Sequence, residues 1–368
     1  MAGLAAGEPA LRLEGVTKLF GTVTAVDGVD LAIAEGEFFS LLGPSGCGKS
    51  TLLRMMAGLE SPSAGRILIG GADMTGTPAY GRPVNMMFQS YALFPHMSVE
   101  DNIAFGLRQD GVKRAEIRER VAAMLALVQL EGLGRRRPGQ LSGGQRQRVA
   151  LARCLVKRPK VVLLDEPLAA LDKRLRQRTQ FELMRIQNEV GLTFVMVTHD
   201  QEEAMTLSTR IAVMENGRIL QVGRPRDIYE RPAGRQVADF IGTANFFEGT
   251  AAGYRDGHLA VAVEGLASPL LAALDGESGD RAGGPVTLMV RPERIALSRT
   301  PPAGTDAVLT GTVAAVAYHG DASQYRVELA GGRSVLVTAA NFGHDAAAID
   351  RGEAVFLAIP PSAARVVP

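Results

Sequence analysis

Apolar and polar positions change their spacing several times along the chain. Val29, Leu31 and Ile33 alternate with Asp30, Ala32 and Ala34, the period of a strand with one buried face. Phe38–Leu42 is a short, largely apolar run ending in a glycine-rich loop, the pattern of a strand covered on both faces. A helix is expected from Ser50, with Leu52, Met56 and Leu59 on one face. Val161–Leu164 and Phe194–Val197 are two more buried-strand candidates. The first closes on Asp165 and Glu166, the second on Thr198 and His199. In open α/β sheets, ligands bind beyond the carboxyl ends of the strands. Three strand ends therefore deliver Lys49, the Asp165/Glu166 pair and His199 to one edge.

Residues about 90–160 read as mostly helical. Ile117, Val121, Met124, Leu125 and Val128 share one helical face, and another helix should run from near Ser142 to before Pro159. Asn216 and Gly217, between Ile211–Met214 and Arg218–Val222, predict a hairpin. The pattern changes near Gly242. Beyond it there is no Lys, little helical periodicity and frequent Gly and Pro. Short strand candidates follow at Thr287–Val290, Gly311–Val316, Tyr325–Leu329, Ser334–Val337 and Ala354–Ile359, which suggests a small antiparallel barrel. Gly276–Gly284 and Arg299–Asp306 read as exposed loops. The expectation is an α/β domain over 1–241 and an accessory β domain over 242–368.

The loop Gly43-Pro44-Ser45-Gly46-Cys47-Gly48-Lys49-Ser50-Thr51 has the form of a phosphate cradle. Its glycines let backbone N–H groups turn inward, and the helix that follows adds a favourable dipole. Lys49 can reach the β- and γ-phosphates of ATP, and Ser50 can offer a hydroxyl to Mg²⁺. Asp165 suits the metal shell, and Glu166 suits a general base for the attacking water. In Leu141–Gln145, Ser142 reads as a helix N-cap backed by Gly143 and Gly144, small enough for a γ-phosphate to approach the backbone. Gln89 follows the run Met86-Met87-Phe88, where it could contact both metal and water. His199 could hold the γ-phosphate and orient Glu166. Phe20 reads either as a core ring or as a platform for adenine. Cys47 is either inert or a thiol whose alkylation blocks the loop. Tyr91, Leu93, Phe94 and Met97 are either local core or an apolar docking surface for a partner helix.

Composition narrows the class. Forty basic residues against 39 acidic leave a net charge of +1, which gives no basic footprint for nucleic acid. Cys47 and Cys154 are the only cysteines, so the expectation is a reducing compartment with no disulfide framework or zinc set. His96, His258, His319 and His344 have no ligand spacing. Met1–Pro9 lacks a secretory pattern, and no apolar stretch approaches the roughly 18 residues of a membrane span. Docking on a membrane protein stays open.

Taken together and in this order, the motifs resemble those of the ABC transporter ATPases. The matching positions are the A-loop aromatic (Phe20), Walker A (Gly43–Thr51), the Q-loop (Gln89), the signature (Leu141–Gln145) and Walker B (Val161–Glu166). The D-loop (Ala169–Asp172) and the H-loop (His199) match as well. Asn85–Met97 and Thr198–Ala204 are similar to the ATPase subunits of solute-binding-protein-dependent importers. So is a tail containing Val290–Glu293, which resembles their accessory OB-like (TOBE) domain. The likeness is strongest to polyamine importers, putrescine ahead of spermidine, through Asn85–Met97, Ile103–Asp110, Arg158–Lys160 and Phe240–Gly249. Ala169 departs from the Ser of many relatives, which would soften cross-protomer contacts, and Ala363–Pro368 matches less well.

The resemblance implies a P-loop ABC ATPase core with an antiparallel β subdomain and a helical subdomain. It also implies a head-to-tail dimer. Each ATP and Mg²⁺ would lie between one copy's Lys49, Ser50, Gln89, Asp165, Glu166 and His199 and the other's Ser142, Gly144 and Gln145. Asp172 would stand at the same interface. The partners implied are two integral-membrane permease subunits and, indirectly, a solute-binding protein, at the cytoplasmic face of a bacterial inner membrane. Maltose-like sugars, ferric ion and phosphonates use similar subunits, so the solute stays open on residues alone. A soluble, non-transport ABC ATPase is the contrasting class. Such proteins carry two cassettes, a coiled-coil insertion or zinc cysteines, which this chain lacks.

Overall fold

The structure, a computed structural model, describes residues 8–169, 171–273, 283–302, 308–341 and 349–367. The chain divides into two compact units, Met1–Ile228 and Tyr229–Pro368.

The first unit begins with β1 (Leu11–Phe20), β2 (Val23–Ile33) and β3 (Phe38–Leu42). The glycine loop leads into α1 (Lys49–Ala57), then β4 (Ala64–Ile69), β5 (Ala72–Asp73) and β6 (Val84–Met87). Three helices follow, α2 (Val99–Gln109), α3 (Arg114–Leu127) and α4 (Gly143–Leu155). After them come β7 (Val161–Asp165), α5 (Lys173–Val190), β8 (Thr193–Thr198) and α6 (Gln201–Leu207). The hairpin β9 (Arg210–Glu215) and β10 (Arg218–Gly223) precedes α7 (Pro225–Glu230), which spans the division between units.

The main sheet has the order β10-β9-β3-β8-β7-β6, and its core strands β3, β8, β7 and β6 run parallel. Both faces are covered, which explains the unbroken burial of β3 and β8. Phe39, Leu41, Val161 and Leu163 point into one cluster with α1 and the antiparallel sheet β2-β1-β4-β5. Phe38, Val162, Leu164 and Phe194 point into a second cluster with residues of α2, α3 and α4. Each large side chain buried this way contributes about 1.5–3 kcal/mol. Ser40 is the polar exception within β3, and its hydroxyl is paired with that of Ser208 at 2.6 Å.

The helical expectation over 90–160 resolves into α2, α3 and α4. Ile117, Val121, Leu125 and Val128 are buried, while Met124 lies at the edge of that core. Side-chain caps open the helices: Ser98 on α2, Ser142 on α4, Asp172 on α5 and Asp200 on α6. One detail departs from the sequence pattern. α1 stops at Ala57 because Gly58 turns left-handed at φ 74, so Leu59 leaves the helical face and is 41% exposed. The hairpin forms as expected, with Asn216 (φ 48) and Gly217 (φ 79) both left-handed. Among the described residues no helix is long and apolar enough to cross a membrane.

The second unit contains α8 (Arg235–Phe240), β11 (Asn245–Arg255), β12 (His258–Val263), β13 (Leu270–Ala272) and β14 (Pro285–Val290). It continues with β15 (Ala296–Ser298), β16 (Val308–Tyr318), β17 (Ala322–Leu329), β18 (Ser334–Ala340), β19 (Ala354–Ala358) and β20 (Ala364–Val367). The strands make two five-stranded antiparallel sheets, β13-β12-β11-β14-β20 and β15-β19-β16-β17-β18, around one apolar cluster. All five strand candidates are present, and β11, β12, β13, β15 and β20 are additional. The composition change at Gly242 falls after the division because α8 belongs to the second unit: Ala238 packs with Met289 and Val367. The fully buried guanidinium of Arg291 donates to Ala238 O, Thr243 O and Tyr229 O. Of the expected loops, 276–282 and 303–306 lie outside the described residues, as does His344.

Candidate active site

The loop between β3 and α1 folds as a cradle because its glycines have no alternative. A Cβ on Gly43 would lie 2.2 Å from Met214 O, and one on Gly48 would lie 2.3 Å from Ala25 O. Gly48 also takes φ 102 as the N-cap of α1. The hairpin turn braces the loop: Gly217 N–H donates to Cys47 O at 3.1 Å. Lys49 opens α1 and is only 5% exposed. Its ammonium donates to Gly43 O at 2.7 Å and Pro44 O at 2.8 Å, and lies 3.6 Å from Cys47 Sγ. The cation is thus folded back over the cradle, directly beside the free amides at the start of α1.

The neighbouring strand ends supply the rest. Ser50 Oγ donates to Asp165 Oδ1 at 3.4 Å across from β7. Burial raises the Asp165 pKa, and the Glu166 carboxylate beside it adds to the rise. Glu166 itself turns left-handed, φ 44, with its N–H on Val197 O at 3.0 Å. A bulky residue in that region costs about 1–3 kcal/mol. The turn lifts the carboxylate out of the strand line. There Gln89 Nε2, two residues past β6, donates to Glu166 Oε2 at 3.1 Å. His199 Nδ1, just past β8, lies 3.0 Å from Glu166 Oε1.

The donor set fits a nucleotide with its magnesium. Glycines that exclude any side chain leave backbone amides facing the cradle, and a buried ammonium stands over them. Asp165, Ser50 and Gln89 offer a carboxylate, a hydroxyl and an amide, the hard oxygen ligands Mg²⁺ prefers. Among the described residues no cluster of at least three His, Cys, Asp or Glu could hold a metal. Mg²⁺ takes one or two carboxylates and completes its shell with phosphate and water.

Other expected residues stand apart. Phe20 ends β1, 48% exposed, with Lys18 Nζ 4.9 Å from its ring centroid, so it lies at the surface and is not a core ring. Ser142 and Gln145 form a reciprocal capping box: Gln145 N–H donates to Ser142 Oγ at 3.3 Å, and Ser142 N–H to Gln145 Oε1 at 3.0 Å. A Cβ on Gly143 or Gly144 would meet only Leu171 or Leu175, at 4.0 and 3.4 Å. Among the described residues no hydrogen bond joins Ser142–Gln145 to the phosphate loop of the same chain. Asp172 caps α5 by accepting from Leu175 N–H at 2.9 Å, and Ala170 between these groups lies outside the described residues.

Arg176 lies outside every motif of the sequence. It donates to Asp200 Oδ2 at 2.9 Å and to Leu171 O at 3.2 Å, joining the start of α5 to the residue after His199. Thr198 Oγ1 donates to the buried Glu203 at 2.7 Å and accepts from Asp200 N–H at 3.0 Å, which fixes the same turn. The signal was an arginine one turn inside a helix, set against the acidic run after His199.

Comparisons with known proteins agree with this geometry. A family model for the ABC transporter matches residues 26–169, and one for the TOBE domain matches residues 288–367. The chain is 53% identical over 327 residues to the putrescine transport ATP-binding protein PotG of Escherichia coli K12, covering 89% of this chain and 86% of that one. It is 52% identical over 353 residues to the spermidine/putrescine import ATP-binding protein PotA of Rubrobacter xylanophilus, covering 96% and 92%. An ATP-binding cassette solved as a dimer in a post-hydrolysis state, with ADP and Pi, superimposes with a TM-score of 0.52 at 32% identity, covering 59% of this chain and 99% of that one. The expected ABC ATPase core followed by an all-β TOBE domain is borne out. The chain belongs to the ABC transporter family, among the ATP-binding subunits that carry a C-terminal TOBE domain.

Proposed function

We propose that this chain is the ATP-hydrolysing subunit of a membrane importer for polyamines, putrescine or spermidine. The observation that carries the hydrolytic part is the pair of contacts on Glu166, from Gln89 at 3.1 Å and His199 at 3.0 Å. A carboxylate so oriented can take the proton of an attacking water. In this reading Gly43–Thr51 and the N-terminus of α1 hold the phosphates, and Lys49 reaches the β- and γ-phosphates. Phe20 receives the adenine. Ser50, Gln89 and Asp165 would hold Mg²⁺, which supplies neutralisation of the charge that develops on the transferred phosphoryl group. His199 keeps Glu166 aimed.

Among the described residues no hydrogen bond joins Ser142–Gln145 to their own chain's cradle, and a similar cassette solved as a dimer with ADP and Pi supports a role across a dimer. Two copies close head to tail, each signature helix meeting the other copy's γ-phosphate, with Asp172 at the same face. Loss of that phosphate removes the tie and reopens the pair. The motion acts on two integral-membrane permease subunits docked near Tyr91–Met97, and a solute-binding protein delivers the cargo from the far side. The subunit sits peripherally on the cytoplasmic face of a bacterial inner membrane and does not bind nucleic acid. Identities of 53% and 52% to putrescine and spermidine/putrescine proteins support the solute assignment.

Uptake of labelled putrescine, spermidine, maltose and ferric ion in source cells carrying Glu166→Gln tests it. Selective loss of putrescine or spermidine uptake is expected. Loss of another solute would keep the mechanism and discard polyamines, and unchanged uptake of all four would count against the importer reading.

A further inference from the structure

Past Gln89 the backbone is strained. Tyr91 and Ala92 both turn left-handed, φ 62 and φ 45, a region that residues with side chains avoid. Arg153 holds them from α4. Its Nη1 donates to Ala92 O at 2.8 Å and its Nη2 to Tyr91 O at 3.0 Å. The same guanidinium lies over the ring of Phe94, 5.4 Å from its centroid. Phe94 is also gripped from α2. The buried Asn102 accepts from Phe94 N–H at 2.8 Å and donates to Phe94 O at 3.1 Å, while the Phe105 ring packs at 4.7 Å between centroids.

Arg153 is an expensive residue to place there. Burial lowers its pKa, and among the described residues it forms no ion pair. Two carbonyls and one ring are its compensation. Among the described residues the Tyr91 hydroxyl beside this grip is buried with no hydrogen-bond partner, so the guanidinium contacts on the Tyr91 and Ala92 carbonyls are what fix the turn.

The helix that carries Arg153 is the one capped by Ser142, and the carbonyls it holds come directly after Gln89. We propose that Arg153 is a positioning residue that locks the segment Tyr91–Phe94 to the signature helix, so that Gln89 and Ser142 move as one body. This rests on the reading of Gln89 and Ser142 as site elements given above. A push on the docking segment would then reach the chain's own nucleotide through Gln89 and the partner's nucleotide through Ser142. Lysine cannot take over, since a single ammonium on a flexible stem cannot span two carbonyls and stack on a ring.

The test uses the full-length chain with Arg153→Ala and Arg153→Lys. ATP affinity, kcat, melting temperature and amide hydrogen exchange are compared with wild type. For Arg153→Ala the expectation is affinity within about three-fold and kcat down about ten-fold or more, the cost of misplacing a group remote from the chemistry. Exchange at Tyr91–Phe94 should quicken while α1 keeps its protection, and Arg153→Lys should recover only part of kcat. Unchanged kcat with unchanged exchange would overturn the proposal. So would affinity, kcat and melting temperature falling together, which marks general damage to the fold. Should the alanine variant not fold, wild-type kcat in Arg153→Lys would overturn it alone. A wild-type chain that binds but does not hydrolyse ATP would refute the functional reading instead, and the exchange data would still judge Arg153.

Discussion

Replacing Glu166 by Gln separates the geometry of this site from its chemistry. The side chain keeps its size and its left-handed backbone position. Its remaining carbonyl oxygen can stay on His199 Nδ1, now 3.0 Å from Oε1. The new amide nitrogen meets Gln89 Nε2, a donor facing a donor, across the 3.1 Å contact on Oε2. Turning the Gln89 amide over presents its oxygen instead and restores the bond. Nothing needs to move by more than that rotation, so what is lost is the proton acceptor. General-base catalysis is worth about 10²–10⁴ in rate, or about 3–5 kcal/mol of barrier. Phosphate release at saturating ATP should fall by that factor. ATP affinity should hold, since the variant removes a negative charge beside the γ-phosphate. Unable to hydrolyse, the variant should elute as a dimer with ATP and as a monomer without it. His199→Ala provides the internal check. If His199 acts by aiming Glu166, adding His199→Ala to Glu166→Gln should cost little further, because groups acting as a unit are strongly non-additive. A kcat within ten-fold of wild type for Glu166→Gln would refute Glu166 as the base, and additive losses in the double variant would refute the aiming role of His199.

Three further outcomes test the surrounding residues. Asp165→Asn should abolish Mg²⁺-dependent turnover yet raise the melting temperature at pH 7. The folded-state pKa of Asp165 is raised from 3.8, so the fold binds this proton more tightly than the unfolded chain does. Ionising it costs stability as pH climbs from 3.8 through the raised value, and the gain in the Asn variant should vanish below that window. Thermal melts from acid to neutral pH would read the difference. Ser142→Arg should keep nucleotide binding and lose turnover. Mixed with Glu166→Gln it should restore at most one working site per heterodimer, and loss of binding in the single variant would deny the cross-dimer role. Gly48→Ala places a methyl 2.3 Å from Ala25 O at φ 102, so nucleotide titration should show binding lost even where circular dichroism shows the chain folded.

The parts of this molecule legible in its sequence are those where one local pattern answers one physical demand. Phe38–Leu42, Val161–Leu164 and Phe194–Val197 had to be short and apolar because both faces of the sheet are covered, and their polar ends had to mark its carboxyl edge. Asn216 and Gly217 announced their turn because few other residues accept two left-handed positions in succession. Arg153 announced nothing, and Arg176 only its place one turn inside a helix. Their acceptors are backbone carbonyls and carboxylates brought close only by folding, and any residue supplies a carbonyl. The boundary between units was obscured for a related reason. Residues 229–241 look helical, like what precedes them, yet they belong with Arg291, whose Nη1 and Nη2 gather carbonyls from that stretch. Side-chain periodicity reports which faces are covered and strand ends report where a ligand sits. What ties one loop to another is carried by a few long cations that read the backbone, and these are the residues whose substitution should uncouple the site while leaving every recognisable motif in place.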